Sequence, residues 1–188
     1  MNDKVFLINY FNKFKKLLDH NYIDDLIKLK KILLSIKKKQ KKIIIAGNGG
    51  SAAISSHFSV DLTKNAKIRC INFNEADLIT CFSNDYGYEK WLENAVKYYY
   101  DRGDLLILVS TSGTSKNMLS AARFFKKKKI GKLITFTGKK KNNKLFKLGD
   151  LNFWVNSKSY NLVENTHQFL LLSLVDLIIG KSDYKAKR

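Results

Sequence analysis

The sequence predicts an α/β fold, a three-layer sandwich in which a five-stranded parallel sheet is covered by helices on both faces, with extra helices at the N-terminus. Three observations predict it. Short apolar, β-branched runs alternate with longer stretches of helical spacing, the order that parallel βαβ units need. Two of those runs, 43–46 and 105–109, pass straight into loops dense in Gly, Ser and Thr and then into helical spacing. The 188 residues are 45% hydrophobic, include no proline and show no linker, which suits one domain over 1–188 with a sizeable core.

Taken in order, 1–36 carries two apolar stripes at helical spacing. Val5, Ile8, Phe11 and Phe14 belong to the first, and Leu26, Leu29, Leu33 and Leu34 to the second. His20 and Asn21 separate them, and His20 reads as a helix-end residue rather than a ligand. The first stripe is too broad for a helix that lies alone, so it is expected to pack across a subunit interface. The sheet core occupies 42–180. Strand 43–46 leads to a helix over 52–64, with Ser51 as its N-cap. A second strand spans 67–73, a short helical segment 74–82, a polar loop 83–88 and a helix 88–100. Strand 105–109, loop 110–115 and helix 116–129 repeat the first pattern. Strand 133–137, a basic loop 139–144 and a helical turn 145–148 follow. A last strand at 151–156 precedes a long helix over 161–179, apolar on nearly all sides and stopped by Gly180. The tail 181–188 reads as frayed.

No apolar run reaches the ~18 residues of a membrane span, and the first ten residues lack the basic-then-apolar order of a secretory signal. The two cysteines, Cys70 and Cys81, sit among apolar residues and read as buried free thiols, which fits a cytoplasmic protein. The net charge of +19 arises from 35 Lys+Arg against 16 Asp+Glu and falls in lysine runs such as 37–42 and 126–129. Lysine is favoured at helix C-termini, so the runs read first as solvated helix ends; direct nucleic-acid binding is the last-ranked alternative, and no membrane partner is expected. A positive surface also speeds encounter with small anions.

The loops carry the chemistry. Gly47, Asn48, Gly49, Gly50 and Ser51 bring a sharp turn and a helix N-terminus together, a ready site for an anion. Ser110, Thr111, Ser112 and Ser115 supply hydroxyl donors at the second loop. In one parallel sheet both loops open at the C-terminal strand ends, where open α/β sheets bind ligands. A phosphate held between them is the first functional expectation. On the first helix His57 and Asp61 are four apart and share a face.

The run Gly47-Asn-Gly-Gly-Ser-Ala-Ala53, with His57 four residues before a carboxylate, resembles the sugar isomerase (SIS) domain of bacterial phosphoheptose isomerases. Asn84-Asp-Tyr-Gly-Tyr-Glu89 and Ser110-Thr-Ser-Gly-Thr-Ser-Lys-Asn117 fit the same family, and the resemblance runs from about Leu26 to about Gly180. It implies a flavodoxin-like, Rossmann-like sheet and a cytoplasmic homotetramer. The implied activity is aldose–ketose isomerisation of a sugar phosphate, sedoheptulose 7-phosphate to D-glycero-D-manno-heptose 7-phosphate, for surface polysaccharide such as lipopolysaccharide. It assigns phosphate holding to Ser51, Ser110, Thr111, Ser112 and Ser115, with Asn48, Gly49 and Asp85 also at the substrate.

Isomerisation moves a proton between adjacent carbons and needs an acid and a base. The family carries a Glu where this chain has Asp61, and on the last helix a Gln and, eight residues on, a His, where this chain has Glu164 and Leu172. Leucine neither ligates nor shuttles a proton. The zinc site the resemblance implies keeps His57, Asp61 and Glu164. Asp61, Glu164 and His167 are the candidate catalytic residues, with Glu164 as base and His167 as acid. A second reading stays open. Asp61 and Leu172 also suit a non-catalytic, sugar phosphate-binding SIS regulator of the kind that partners the bacterial replication initiator.

Overall fold

A computed structural model describes residues 2–18 and 20–183. Among the described residues, seven α-helices and five strands follow one another as α1 (Asp3–Leu17), α2 (Ile23–Lys38), β1 (Ile43–Gly47), α3 (Gly50–Lys64), β2 (Cys70–Ile71), α4 (Ala76–Tyr86), α5 (Trp91–Tyr99), β3 (Leu105–Ser110), α6 (Lys116–Lys127), β4 (Leu133–Thr137), β5 (Leu151–Trp154) and α7 (Tyr160–Ile179). Short 3-10 turns stand at His20–Tyr22 and Phe146–Leu148. The five strands pair in the order β2-β1-β3-β4-β5, all parallel. The order reverses between β1 and β3, and that is where such sheets open a crevice at their C-terminal rim.

The period-2 alternation of the strands sorts the core into two layers. Ile43, Ile45, Leu105, Ile107 and Phe136 pack with α2, α3 and α7. Ile44, Ala46, Leu106, Leu108 and Leu133 pack with α5 and α6. Every residue of β1, β3 and β4 is buried, as a strand covered on both faces requires. The expected three-layer sandwich is the observed one.

Helix α7 is long and apolar enough to cross a membrane by length and composition. Its apolar character is taken up by packing: Leu162, Val163, Leu170, Leu171, Leu174 and Val175 are buried, and α3 lies along it. Gly180 ends it in the left-handed region at φ 84°, as expected. Residues 184–188, part of the tail read as frayed, lie outside the described residues.

Several boundaries differ from the sequence reading for identifiable reasons. Strand β2 is shorter than 67–73 because it pairs with β1 only at Cys70 and Ile71, and Thr63 occupies its outer edge. The Thr63 hydroxyl accepts from Cys70 N at 3.1 Å and donates to Cys70 O at 3.2 Å. The expected polar loop at 83–88 is instead the end of α4, which runs on to Tyr86 and stops at Gly87, φ 78°. Cys70 is buried, and burial pushes its thiol up beyond the titration range of a free cysteine. Cys81, expected to be buried too, is exposed. Helix α4 covers the core with Leu78, Ile79 and Phe82, and Cys81 falls on the opposite side. Helix α1 has no buried residue.

Candidate active site

The two loops come together because their strands are neighbours. β1 and β3 pair directly, Gly47 opposite Val109, so the loops after them leave the same rim side by side. Between them is a cavity of about 120 Å³ lined by Asn48, Ser51, Ser110, Thr111, Ser112, Ser115, Tyr160 and Glu164.

Each wall has a local cause. At Gly47 a Cβ would lie 2.4 Å from the backbone of Ser51, so only glycine allows this tight approach. Gly49, at φ 55°, is the N-cap of α3, and Ser51 sits in the first turn rather than at the cap the sequence suggested. Asn48 and Asn117 exchange amide hydrogen bonds at 3.0 and 2.8 Å, clamping the first loop to the start of α6. In the second loop Gly113, φ 62°, turns the chain so that its N–H donates to Ser110 O at 3.0 Å. The Thr111 hydroxyl is buried and has no hydrogen-bond partner among the described residues. Lys139 stands 3.7 Å from the centre of the Tyr160 ring and brings positive charge to the rim.

Glu164 closes the cavity from α7. Its carboxylate lies so near Gly50 that a Cβ there would be 2.3 Å from Oε2. Burial raises its carboxyl above the usual carboxylate value.

The other candidates lie elsewhere. Helices α3 and α7 run alongside each other in the same direction, Gly50 against Glu164 at one end and Asp61 near Asp176 at the other, where burial first and then the Asp61 charge raise the Asp176 carboxyl. Asp61 is therefore about 15 Å along α3 from Ser51 at 1.5 Å per residue. It faces His57 at 3.4 Å, with His57 49% exposed. The expected set of His57, Asp61 and Glu164 is not gathered at one point in the chain. Among the described residues no group of three or more His, Cys, Asp or Glu is placed to hold a metal ion. Zinc does not fit the residues of one chain, and no chemical step is assigned to it.

His167 is buried, and its Nε2–H donates to Thr137 O at 3.1 Å, while Nδ1 has no partner among the described residues. Burial lowers its pKa to about 4, so it is neutral at pH 7. Since Gly138 N donates to Thr111 O at 3.1 Å, His167 ties α7, and Glu164 with it, to the end of β4 and thence to the hydroxyl loop. Asp85 belongs to α4, accepts from its neighbour Asn84 at 3.0 Å and does not line the cavity, and neither does Gly49. Asn117, Tyr160 and Lys139 were not picked out from sequence. Asn117 closes the second loop motif, a visible signal for a polar residue in a buried first helical turn. For Tyr160 and Lys139 the sequence offers no signal.

Comparison with known proteins agrees with this geometry. The sequence matches the SIS domain over residues 9–138. The chain belongs to the SIS domain family. Among SIS relatives, a phosphoheptose isomerase of Aliarcobacter butzleri is 33% identical over 151 residues, 77% of this chain and 78% of that one. A phosphoheptose isomerase of Buchnera aphidicola is 29% identical over 97% of this chain and 98% of its own length. A solved phosphoheptose isomerase structure from Francisella tularensis superposes with a TM-score of 0.88, covering 96% of this chain and all of that one at 23% identity, so the SIS fold is shared over its whole length.

Proposed function

We propose that the chain is a sugar phosphate aldose–ketose isomerase that converts sedoheptulose 7-phosphate to D-glycero-D-manno-heptose 7-phosphate. The observation that carries this reading is the half-buried Glu164 carboxylate, with its raised pKa, set on the wall of a hydroxyl-lined cavity at the crevice of the sheet. Relatives named phosphoheptose isomerase that align over most of the chain support it.

In this reading Ser51, Ser110, Thr111, Ser112 and Ser115 hold the phosphate, with the charge of Lys139 beside them. The buried, unpartnered hydroxyl of Thr111 suits a donor that waits for a ligand. Glu164 takes the proton from C1 of the ketose, and the electron pair forms an enediol as the C2 carbonyl oxygen gains a proton. Return of a proton to C2 and loss of one from the C1 hydroxyl yield the aldose. His167 stays neutral and holds Glu164 at its distance from the phosphate loop, a positioning role in place of the acid role first expected. Asp85 is assigned no contact in one chain.

His57 and Asp61 serve, in this reading, the cavity of a neighbouring copy. Val60 beside them is 59% exposed, Phe169 on α7 is 51% exposed, and α1 leaves Phe6 and Phe11 uncovered. A one-domain chain assembled as a cytoplasmic homotetramer accounts for these faces. The product would feed synthesis of a surface heptose polysaccharide. Turnover of sedoheptulose 7-phosphate, followed by aldose formation with and without added zinc, tests the proposal. Turnover that Glu164→Gln abolishes is expected. Binding of the sugar phosphate without turnover would favour the regulatory SIS reading, which the Leu172 and Asp61 replacements motivate.

A further inference from the structure

The lysine runs look unremarkable one at a time, each at the end of a helix. The fold gathers them. In a parallel sheet with antiparallel crossover helices, the C-terminus of each helix that leads into a strand lies with the strand N-termini at one rim, opposite the cavity. The connection from α2 to β1 brings Lys37, Lys38, Lys39 and Lys41 there, and that from α3 to β2 brings Lys64, Lys67 and Arg69. Arg102 precedes β3, and Lys127, Lys128, Lys129 and Lys132 precede β4. All but the half-buried Lys41 are exposed.

Carboxylates do not offset this charge. In the turns entering the five strands the acidic residues are Asp101, Asp104 and Asp150. Lys42 binds both Asp101 and Asp104, each at 2.6 Å, and Lys126 binds Asp150. Asp61, Asp176 and Asp183 stand near the C-terminal ends of α3 and α7, outside the strand-entry turns. One lysine at a helix C-terminus satisfies the macrodipole; three or four in succession exceed what the dipole calls for.

Three features hold the patch in shape. Lys37, Gln40, Lys41, Lys67 and Arg69 line a cleft of about 280 Å³ between the first two turns. The Lys37 ammonium is anchored by donating to Ala66 O at 2.9 Å, and Arg69 by donating to Gln40 O. The stem of Lys41 lies on Gly103, 3.3 Å from where a Cβ would stand, joining the β1 and β3 entries.

We infer that this rim binds the phosphate backbone of a nucleic-acid duplex without reading its bases. The four basic strand entries are adjacent in the order β2-β1-β3-β4 and span about 15 Å at the spacing of sheet strands. A duplex presents one phosphate charge per ~1.7 Å of axis, a density this row can match. The basic segments 37–42, 64–69 and 126–132 contain no aromatic residue on which an unpaired base could stack, which argues against a single strand. Their isoleucines, Ile68 and Ile130, are buried, so nothing apolar is left to enter a lipid surface.

The test is titration of a fluorescent mixed-sequence DNA duplex with the full chain at several salt concentrations, in parallel with turnover of the sugar phosphate. Two charge-reversal variants are compared, Lys41→Glu with Lys67→Glu and Arg69→Glu, and Lys127→Glu with Lys128→Glu and Lys129→Glu. The expected result is binding whose log–log salt slope is about −4 for four to five phosphates engaged. Each variant should lose roughly tenfold or more in duplex affinity at low salt. Both should keep their melting temperature and turnover, since the rim is remote from the cavity. Absence of duplex binding at low salt, wild-type affinity in both variants, or equal binding to vesicles of anionic lipid would overturn the inference.

Discussion

Replacing Gly50 by alanine separates stability from catalysis in a way that few substitutions here can. Gly50 is the first residue of α3 and its φ is not in the left-handed region, so alanine fits the backbone. In an exposed helix the change would stabilise by up to about 1 kcal/mol, because alanine restricts the unfolded chain and favours the helix. The obstacle is Glu164. The new Cβ would stand 2.3 Å from Oε2 and 2.7 Å from Cδ, against an ordinary contact of about 3.4 Å or more. The carboxylate is the end of a flexible side chain and moves away by about 1 Å. A displacement on that scale costs on the order of 100-fold in rate when the group transfers a proton. Thermal unfolding and steady-state kinetics on the sugar phosphate read the two effects separately. The expected variant melts at or above the wild-type temperature, binds substrate with little change in KM and has kcat lowered about 100-fold. A kcat within about twofold of wild type would show that Glu164 is not the proton-transfer group.

Other substitutions test the remaining parts. In Gly113→Ala the Cβ would be 1.9 Å from Asn143 Oδ1 at a residue with φ 62°. Left-handed strain and disrupted Asn143 hydrogen bonds to Lys140 O and Phe146 N together cost about 3 kcal/mol, lowering Tm by roughly 6–12 °C. His167 has a folded pKa of about 4 against 6.5 unfolded, so the unfolded state binds more protons between those values. Its contribution is present in full above pH 6.5 and is lost on acidification toward pH 4, about 3 kcal/mol in all. Denaturant unfolding from pH 7 to 4 should therefore show a flatter acid limb in His167→Gln. The same variant should lower kcat more than it raises KM, because Glu164 loses its spacing while the hydroxyls remain. Asn117→Ala leaves Asn48 without its reciprocal partner, and calorimetric titration of substrate should show a roughly tenfold weaker Kd from the loosened first loop.

Much of this arrangement is legible in the residues. Ile43, Ile44 and Ile45 can be buried on both faces only in an interior strand, and the repeated strand, hydroxyl loop and helix order puts both loops on one rim. The serines and threonines of 110–115 were found this way, while Glu164 came from the resemblance to the SIS family. Tertiary geometry decided the rest. Asp61 shares a helix with Ser51, so the same periodicity that revealed His57 beside Asp61 also separates that pair from the cavity. Nothing in the neighbouring residues tells that His167 turns inward to Thr137 while Glu164 turns to Gly50. The loop reading of 83–88 missed because Ser83, Asn84 and Asp85 are common turn residues, yet α4 keeps its apolar face against α5 through Phe82 and extends over them. Individual lysine runs carry no sign of their common rim until the strand order is known.

The claim that most depends on the fold is that the β1 and β3 loops grip one phosphoryl group together. A double-mutant cycle on Ser51→Ala and Ser115→Ala, one hydroxyl from each loop, measures it through calorimetric Kd values for the sugar phosphate and for the same sugar without phosphate. Each single change should weaken the phosphorylated ligand about tenfold, with a coupling energy of at least about 0.5 kcal/mol, and leave the unphosphorylated sugar unaffected. Strictly additive effects, or equal losses for both ligands, would mean that the two loops do not share a phosphate.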